Sequence, residues 1–254
     1  LAAGRSHFLA LLEDGTVTAW DKRGNWMDVP DTVSQVQDIG AGNDYSVALK
    51  EDGTVVAWGS FTGGTNAPAG LNNVRAISVG PLFTLALKND GTVVQWGAGI
   101  YSRVPAGLSQ VKAVSAGAYH ALALKEDGTV VGWGGNDYGE ISIPEGLTGI
   151  QAISAGEYVS LLKKADGTVM ILNYNYQSVY PPYLRNVKEI LCINTDVNYA
   201  ILTDGSVKSF SQSVMYTDAF IYNVPGNGKI PLQITAHKDY YEDYLMLMAD
   251  GTVF

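Results

Sequence analysis

One short sequence, Asp-Gly-Thr/Ser-Val, occurs seven times along the chain at nearly constant spacing. Successive copies are 37 to 39 residues apart through the sixth, and the last follows after 46. They begin at Asp14, Asp52, Asp90, Asp127, Asp166, Asp204 and Asp250. A glycine stands ten residues before the first five aspartates, and a large apolar residue stands six after the first six. Such a period predicts a repeat architecture in which each copy is one supersecondary unit.

Each repeat contains three short segments with the composition of β-strands, which we name A, B and C. In the fourth repeat they are Val111–Ala116, 121–125 and 129–133, and the pair Asp127-Gly128 separates the last two. Asp-Gly pairs between such segments favour a two-residue β-hairpin of type I′. Apolar residues fall on both faces of the segments, so each sheet should be covered on both sides. We therefore predict an all-β fold, a seven-bladed β-propeller with mostly three-stranded blades.

The repeat pattern weakens toward the C-terminus. The glycine is absent from the last two repeats, and the tryptophan of the earlier repeats is replaced by Leu172 and Phe210. The sequence starts within a strand A and stops within a strand C. We expect residues 1–254 to form a single propeller domain that is a fragment of a longer chain.

The charge of the chain argues against two classes of partner. Its 16 Lys and Arg stand against 25 Asp and Glu, which gives a formal net charge of −9. A protein this acidic is repelled by nucleic-acid phosphates and by anionic membranes. The sequence also has no apolar run long enough for a membrane helix. We expect no nucleic-acid partner and no membrane span.

Residues that could support catalysis or metal binding are few. His7 and His120 occupy the same position of the repeat, seven residues before the aspartate, where other repeats also carry a bulky residue. Because most repeats have a large side chain at this position, we predict that it packs in the interior. Cys192 lies in an apolar run and is expected to be buried, and no His and Cys residues have the spacing of a zinc site. We predict a protein that is not an enzyme, with no catalytic residues, no metal and no cofactor.

The strand order places the loops on two opposite faces. The A–B turns and the loops that leave strand C share one face, the loop face, and the Asp-Gly hairpins form the other, the hairpin face. The hairpin face repeats the same charged residues, which indicates a structural role. The loop face differs between repeats and is rich in aromatic residues, as binding surfaces are. Its candidate partner-binding residues are Asp44, Tyr119, Asp137, Tyr138, Glu157, Tyr158, Tyr174, Tyr240 and Tyr241.

Two interpretations of this aromatic surface stay open. In the first, the tyrosines are anchors for another protein, and the acids Asp44, Asp137 and Glu157 speed its association by attracting a basic patch. In the second, the rings only cover the top of the propeller and bind nothing.

The segment 111–136, VKAVSAGAYHALALKEDGTVVGWGGN, resembles the repeat of the regulator of chromosome condensation family. The short period is similar to that of the bacterial branch, which contains β-lactamase inhibitors. The resemblance implies a seven-bladed propeller whose loop face binds another protein, with a β-lactamase as the candidate partner. It also implies a secreted or cell-surface location in a bacterium.

Two further functions stay open on the sequence. The cut-like ends favour a repeat module of a bacterial surface protein that binds glycan or matrix. The eukaryotic branch of the family implies an exchange factor for a small GTPase. That function needs a basic, DNA-facing region, and the net charge of −9 argues against one.

Overall fold

The computed structural model describes residues 1–60, 65–98, 103–173, 178–179, 184–194, 197–210, 222–223, 231–236 and 244–248. These residues are nearly all in β-strands and the turns that join them, arranged as seven antiparallel sheets in chain order. Within the described residues, six sheets have three or four strands and the seventh has two. Each sheet holds one copy of the repeat and is one blade of an all-β propeller.

The strands are numbered in chain order. Blade 1 comprises β1 (Ala2–Ala3), β2 (His7–Leu11), β3 (Val17–Asp21) and β4 (Trp26–Met27). Blade 2 comprises β5 (Val36–Ala41), β6 (Tyr45–Lys50) and β7 (Val55–Gly59). Blade 3 comprises β8 (Val74–Val79), β9 (Phe83–Lys88) and β10 (Val93–Gly97). Blade 4 comprises β11 (Val111–Ala116), β12 (His120–Lys125) and β13 (Val130–Gly134).

The remaining blades follow in the same order. Blade 5 comprises β14 (Ile150–Ala155), β15 (Ser160–Lys164), β16 (Val169–Leu172) and β17 (Ser178–Val179). Blade 6 comprises β18 (Val187–Cys192), β19 (Asn198–Leu202), β20 (Val207–Phe210) and β21 (Tyr222–Asn223). Blade 7 comprises β22 (Pro231–Ala236) and β23 (Tyr244–Met248). The strands predicted for the fourth repeat match β11, β12 and β13 to within one residue at each end.

Blades 1, 5 and 6 carry a fourth strand, which the three-strand pattern did not predict. These strands, β4, β17 and β21, are two residues long and pair with the outer edge of strand C. The edge of a sheet exposes unpaired N–H and C=O groups, and the loop leaving strand C satisfies some of them by folding back.

Strand A of each blade lies nearest the centre of the ring. Successive A strands contact one another from β1 through β5, β8, β11 and β14 to β18. Strand β1 also contacts β22, so the first and last blades lie side by side and close the ring. Strand B is the middle layer of each blade and is buried almost along its whole length in β6, β9 and β12.

The Asp-Gly turns are not the predicted two-residue hairpins. In blade 1 the N–H of Leu12 donates to the carbonyl of Thr16 (2.9 Å) and the N–H of Gly15 donates to that of Leu12 (3.1 Å). Gly15 has a φ of 78°, whereas Asp14 is not among the described residues with positive φ. The loop therefore has three residues and ends in a left-handed glycine, and the type I′ prediction is wrong.

The aspartate side chain explains this geometry. Oδ1 of Asp14 accepts hydrogen bonds from the N–H of Thr16 (3.0 Å) and from its hydroxyl (2.6 Å), which fixes the turn without a positive φ at the aspartate. The same pair of bonds recurs in blades 2 to 6 and lowers the pKa of each aspartate. The carbonyl of Gly15 also accepts from the N–H of Val36 in blade 2 (3.0 Å), so the turns help to join the blades.

Candidate functional site

The loop that leaves strand C is fixed to the A–B turn of the same blade. In blade 4 the N–H of Gly135 donates to the carbonyl of Tyr119 (2.8 Å). The preceding residue, Gly134, has a φ of 108°, and a Cβ there would lie 2.6 Å from the same carbonyl. Only glycine permits this approach. The two kinds of loop that the strand order assigned to one face are therefore in direct contact.

Neighbouring blades are joined on the loop face by main-chain hydrogen bonds between their A–B turns. The N–H of Ala118 in blade 4 donates to the carbonyl of Gly156 in blade 5 (3.0 Å). The N–H of Glu157 in blade 5 donates to the carbonyl of Ile193 in blade 6 (2.8 Å). The A–B turns of blades 4, 5 and 6 are thereby bonded into one continuous series.

Blades 1 to 3 form a second series of the same kind. The N–H of Arg5 donates to the carbonyl of Gly42 (3.2 Å), and the N–H of Asn43 donates to that of Pro81 (3.0 Å). Pro81 holds the equivalent position in blade 3 and has no N–H to donate to blade 4. The loop-face series is therefore interrupted between blades 3 and 4.

Three of the predicted tyrosines form one cluster across blades 4 and 5. The ring of Tyr158 stacks on that of Tyr119, with centroids 5.2 Å apart and planes 18° apart. The ring of Tyr138 packs against Tyr158 at 4.7 Å and 52°. Tyr138 is 38% exposed, and Tyr119 and Tyr158 are partly buried. The structure thus brings together residues from two A–B turns and one exit loop, which we call the tyrosine cluster.

The exit loop that carries Tyr138 is held by two polar side chains. Oε2 of Glu140 accepts a hydrogen bond from the N–H of Tyr138 (2.8 Å), and Oδ1 of Asn136 accepts one from the N–H of Ile141 (3.0 Å). Glu140 is only 1% exposed. Burial raises the pKa of its carboxyl group, and the nearby charge of Asp137 adds to the effect. These loop-fixing residues were not found in the sequence, because their pattern occurs in one blade and leaves no repeat signal.

The three predicted acids lie in different environments. Asp137 is exposed next to Tyr138, and its carboxylate makes no hydrogen bond or ion pair with the described residues. Glu157 is 2% exposed, contrary to the expectation that its carboxylate would face a partner. Its N–H donates to the carbonyl of Ile193, so the residue lies at the junction of blades 5 and 6. Asp44 is exposed but lies in blade 2, away from the cluster, and accepts a hydrogen bond from the Ser6 hydroxyl (3.0 Å).

Two segments of the chain, 36–64 and 111–140, match the family model of the regulator of chromosome condensation (RCC1) repeat. These repeats are of the RCC1 type. No curated protein matches the chain.

Several solved structures are similar to this propeller. Yeast RCC1 (Prp20) bound to Kap60 is 18% identical with a TM-score of 0.75, over 94% of this chain and 78% of that one. Prp20p from Saccharomyces cerevisiae, described with its binding to Gsp1p and histones, is 19% identical with a TM-score of 0.75, over 93% and 79%. The ectodomain of the Physcomitrella patens receptor kinase CR4 is 16% identical with a TM-score of 0.75, over 98% and 69%. At this identity the likeness shows the propeller fold.

The propeller also carries a basic group that the sequence analysis did not predict. Arg5, Lys22 and Arg23 of blade 1 line an open cavity of about 370 Å³ on the loop face, together with Asp21 of the same blade and Asp44 of blade 2. The three cations are not periodic, which is why the repeat comparison did not find them.

The remaining predictions for this propeller concern histidines, the cysteine and three tyrosines. His7 and His120 are buried, and Nε2 of each lies 2.8 Å from a serine hydroxyl of the next blade, so packing is confirmed. Cys192 is buried in blade 6, as expected. The candidates Tyr174, Tyr240 and Tyr241 lie outside the described residues.

The described part of the chain contains neither a metal-ligand cluster nor a long apolar helix. There, no group of three or more His, Cys, Asp and Glu residues is placed to hold a metal ion. Helices of the length and apolarity that a membrane crossing requires are also not found among those residues.

Proposed function

We propose that this propeller is a non-enzymatic protein-binding module that uses the loop face of blades 4 and 5. The observation that carries the proposal is the tyrosine cluster, in which three rings from separate loops are held together on a surface fixed by main-chain bonds. Tyrosines lose little side-chain entropy on binding and present a large apolar area with a polar tip, so they are favoured anchors in protein interfaces.

Solved relatives support a binding role for the fold. The Prp20 structures are described with Kap60, Gsp1p and histones, all of which are proteins. Because a shared fold does not carry a shared partner, the choice of partner depends on the loops of this chain. The candidate partner remains a β-lactamase, and the proposed location is secreted or at the bacterial cell surface; both rest on the resemblance of the short repeats.

The test is a pair of substitutions, Tyr138→Ala and Tyr158→Ala, in one protein. Its affinity is measured by surface plasmon resonance against a β-lactamase and against any protein recovered by pull-down with the wild-type chain. Truncating central aromatics is expected to weaken binding by about 2 kcal/mol, or roughly 30-fold. Circular dichroism and urea unfolding of the variant show whether it keeps the fold.

The matched control is the hairpin face, where Glu51→Gln and Glu126→Gln are combined. These glutamates recur beside the structural turns, and their exchange should change affinity by less than about 1 kcal/mol. If the hairpin variant loses affinity and the folded tyrosine variant does not, the proposed face is wrong. If another protein binds but the β-lactamase does not, the module stands and the inhibitor assignment falls.

A further inference from the structure

The segments that carry the tyrosine cluster contain acids and no bases. The segments that build it are 117–119, 134–143 and 156–158, and among them they hold Asp137, Glu140 and Glu157 but no Lys, Arg or His. The exposed carboxylate is that of Asp137, which directly precedes the exposed Tyr138 in the sequence. The other two acids are buried below the surface.

We infer that the tyrosine cluster receives an arginine side chain from the partner protein. The inference rests on the proposed function and names the chemistry of the partner at that site. The face of an aromatic ring is electron-rich and attracts a cation within about 6 Å of its centre. The guanidinium group is planar, so it can stack on a tyrosine ring and still donate hydrogen bonds in its own plane.

Asp137 supplies the second half of this recognition. Its carboxylate is exposed and unpaired among the described residues, so it can accept charge-assisted hydrogen bonds from a guanidinium group. Tyr138 is the next residue in the sequence, and its exposed ring packs on that of Tyr158. An acidic or phosphorylated partner segment would meet repulsion at the same place.

The buried acids reinforce the preference for a cation. The carboxylate of Glu140 accepts hydrogen bonds from backbone N–H groups only and makes no ion pair with the described residues. In its ionised form it is a negative charge below the cluster, where water screens it less than at the surface. The backbone bond to Tyr138 also holds that ring-bearing residue in place, so the site is formed before the partner arrives.

The experiment compares two short peptides that differ in one group. One is acetyl-Gly-Ser-Arg-Ser-Gly-amide, and the other has citrulline, the uncharged near-isostere of arginine, in place of the arginine. Each is titrated to roughly 10 mM, the range of weak single-residue contacts, into protein with ¹³C-labelled tyrosine rings. Resonances of Tyr119, Tyr138 and Tyr158 are assigned from single Tyr→Phe variants.

The arginine peptide is expected to shift the resonances of the cluster saturably and to bind about fivefold more tightly than the citrulline peptide. Asp137→Asn should remove most of that difference, while Glu51→Gln on the hairpin face should leave it unchanged. Trp26→Ala is the control for exposed aromatic rings in general, because Trp26 in blade 1 is 77% exposed. This variant should also leave the difference in affinity between the two peptides unchanged.

Absence of a saturable shift with the arginine peptide, or equal affinity for both peptides, would overturn the inference. That outcome leaves the proposed function intact if the Tyr138→Ala and Tyr158→Ala pair still weakens a protein partner. Conversely, if the pair weakens no protein partner but the arginine peptide binds, the cation site stands and the protein-binding role does not.

Discussion

Nε2 of His7 in blade 1 lies 2.8 Å from Oγ of Ser46 in blade 2, and both groups are buried. Equivalent positions are complementary at the four junctions from blade 1 to blade 5. The hydroxyl of Tyr45 lies 3.2 Å from that of Thr84 in the next blade, whereas the apolar Phe83 is followed by Ala121 in the same apolar cluster. From blade 1 to blade 5, a polar first residue of strand B is thus matched by a polar second residue in the following blade, and an apolar one by an apolar one. The next junction departs from this pattern, because the apolar Val159 of blade 5 is followed by the buried, polar Asn198 at the equivalent position of blade 6.

This matching predicts that the two positions are energetically coupled. Ser46→Ala alone leaves the buried imidazole without its partner and is expected to cost about 1–3 kcal/mol of unfolding free energy. Adding His7→Phe recreates the pairing of Phe83 with Ala121 and should recover part of that loss. Urea unfolding of the two single variants and the double variant gives the coupling. If the double variant loses more unfolding free energy than the two single variants lose together, the coupling is contradicted.

The same histidine predicts a pH dependence of stability. Burial lowers the pKa of His7 below its ordinary value, an effect partly offset by the charge of Asp44. The unfolded chain therefore binds the proton more readily, so stability is complete above about pH 6.5 and falls as the pH drops below it. Unfolding free energies at pH 7.5 and 5.5 should differ more for the wild type than for the His7→Phe, Ser46→Ala variant. Equal differences would show that His7 does not contribute.

The glycine of the A–B turn is predicted to be required by contact between blades. A Cβ on Gly117 would lie 2.4 Å from the carbonyl oxygen of Gly156 in blade 5. Gly117→Ala should therefore destabilise the protein by about 1–3 kcal/mol or more. In Gly135→Ala, the control in the same blade, the nearest atom is at an ordinary 3.4 Å, so a change within about 0.5 kcal/mol is expected. Similar thermal shifts for the two variants would refute this account.

Glu140 is predicted to hold the backbone of Tyr138. Glu140→Ala removes the acceptor of the Tyr138 N–H and should speed hydrogen exchange at that amide, whereas Glu140→Gln keeps an acceptor oxygen and should preserve its protection. Because burial raises the pKa of Glu140, its ionised form costs stability at neutral pH. That cost disappears as the pH falls through the raised pKa toward the ordinary value near 4.3. The Gln variant should lack this gain on acidification, and an unchanged Tyr138 exchange rate in the Ala variant would exclude the role.

The strands could be predicted from the sequence because apolar patterns and turn residues are local signals that seven copies reinforce. The turn type could not, because the Asx-type bonds from Asp14 to Thr16 replace the conformation that an Asp-Gly pair favours on average. In the site, Glu157 and Tyr158 are adjacent in sequence, yet the first is buried and the second partly exposed. Their position in the repeat holds unlike residues in other blades, so comparison of the copies carried no information about which side chain faces outward.

The interruption at Pro81 has a consequence for engineering. Among the described residues, main-chain bonds join the A–B turns of blades 1–3 in one arc and those of blades 4–6 in another, and none joins the turns of blades 3 and 4. We therefore expect a loop grafted onto the A–B turn of blade 3 to disturb the turn of blade 4 less than a graft at a junction that has the main-chain bond. The basic group around Arg5 lies on the first arc and the tyrosine cluster on the second. We therefore expect that the loops of one arc can be redesigned for a new partner while those of the other are kept.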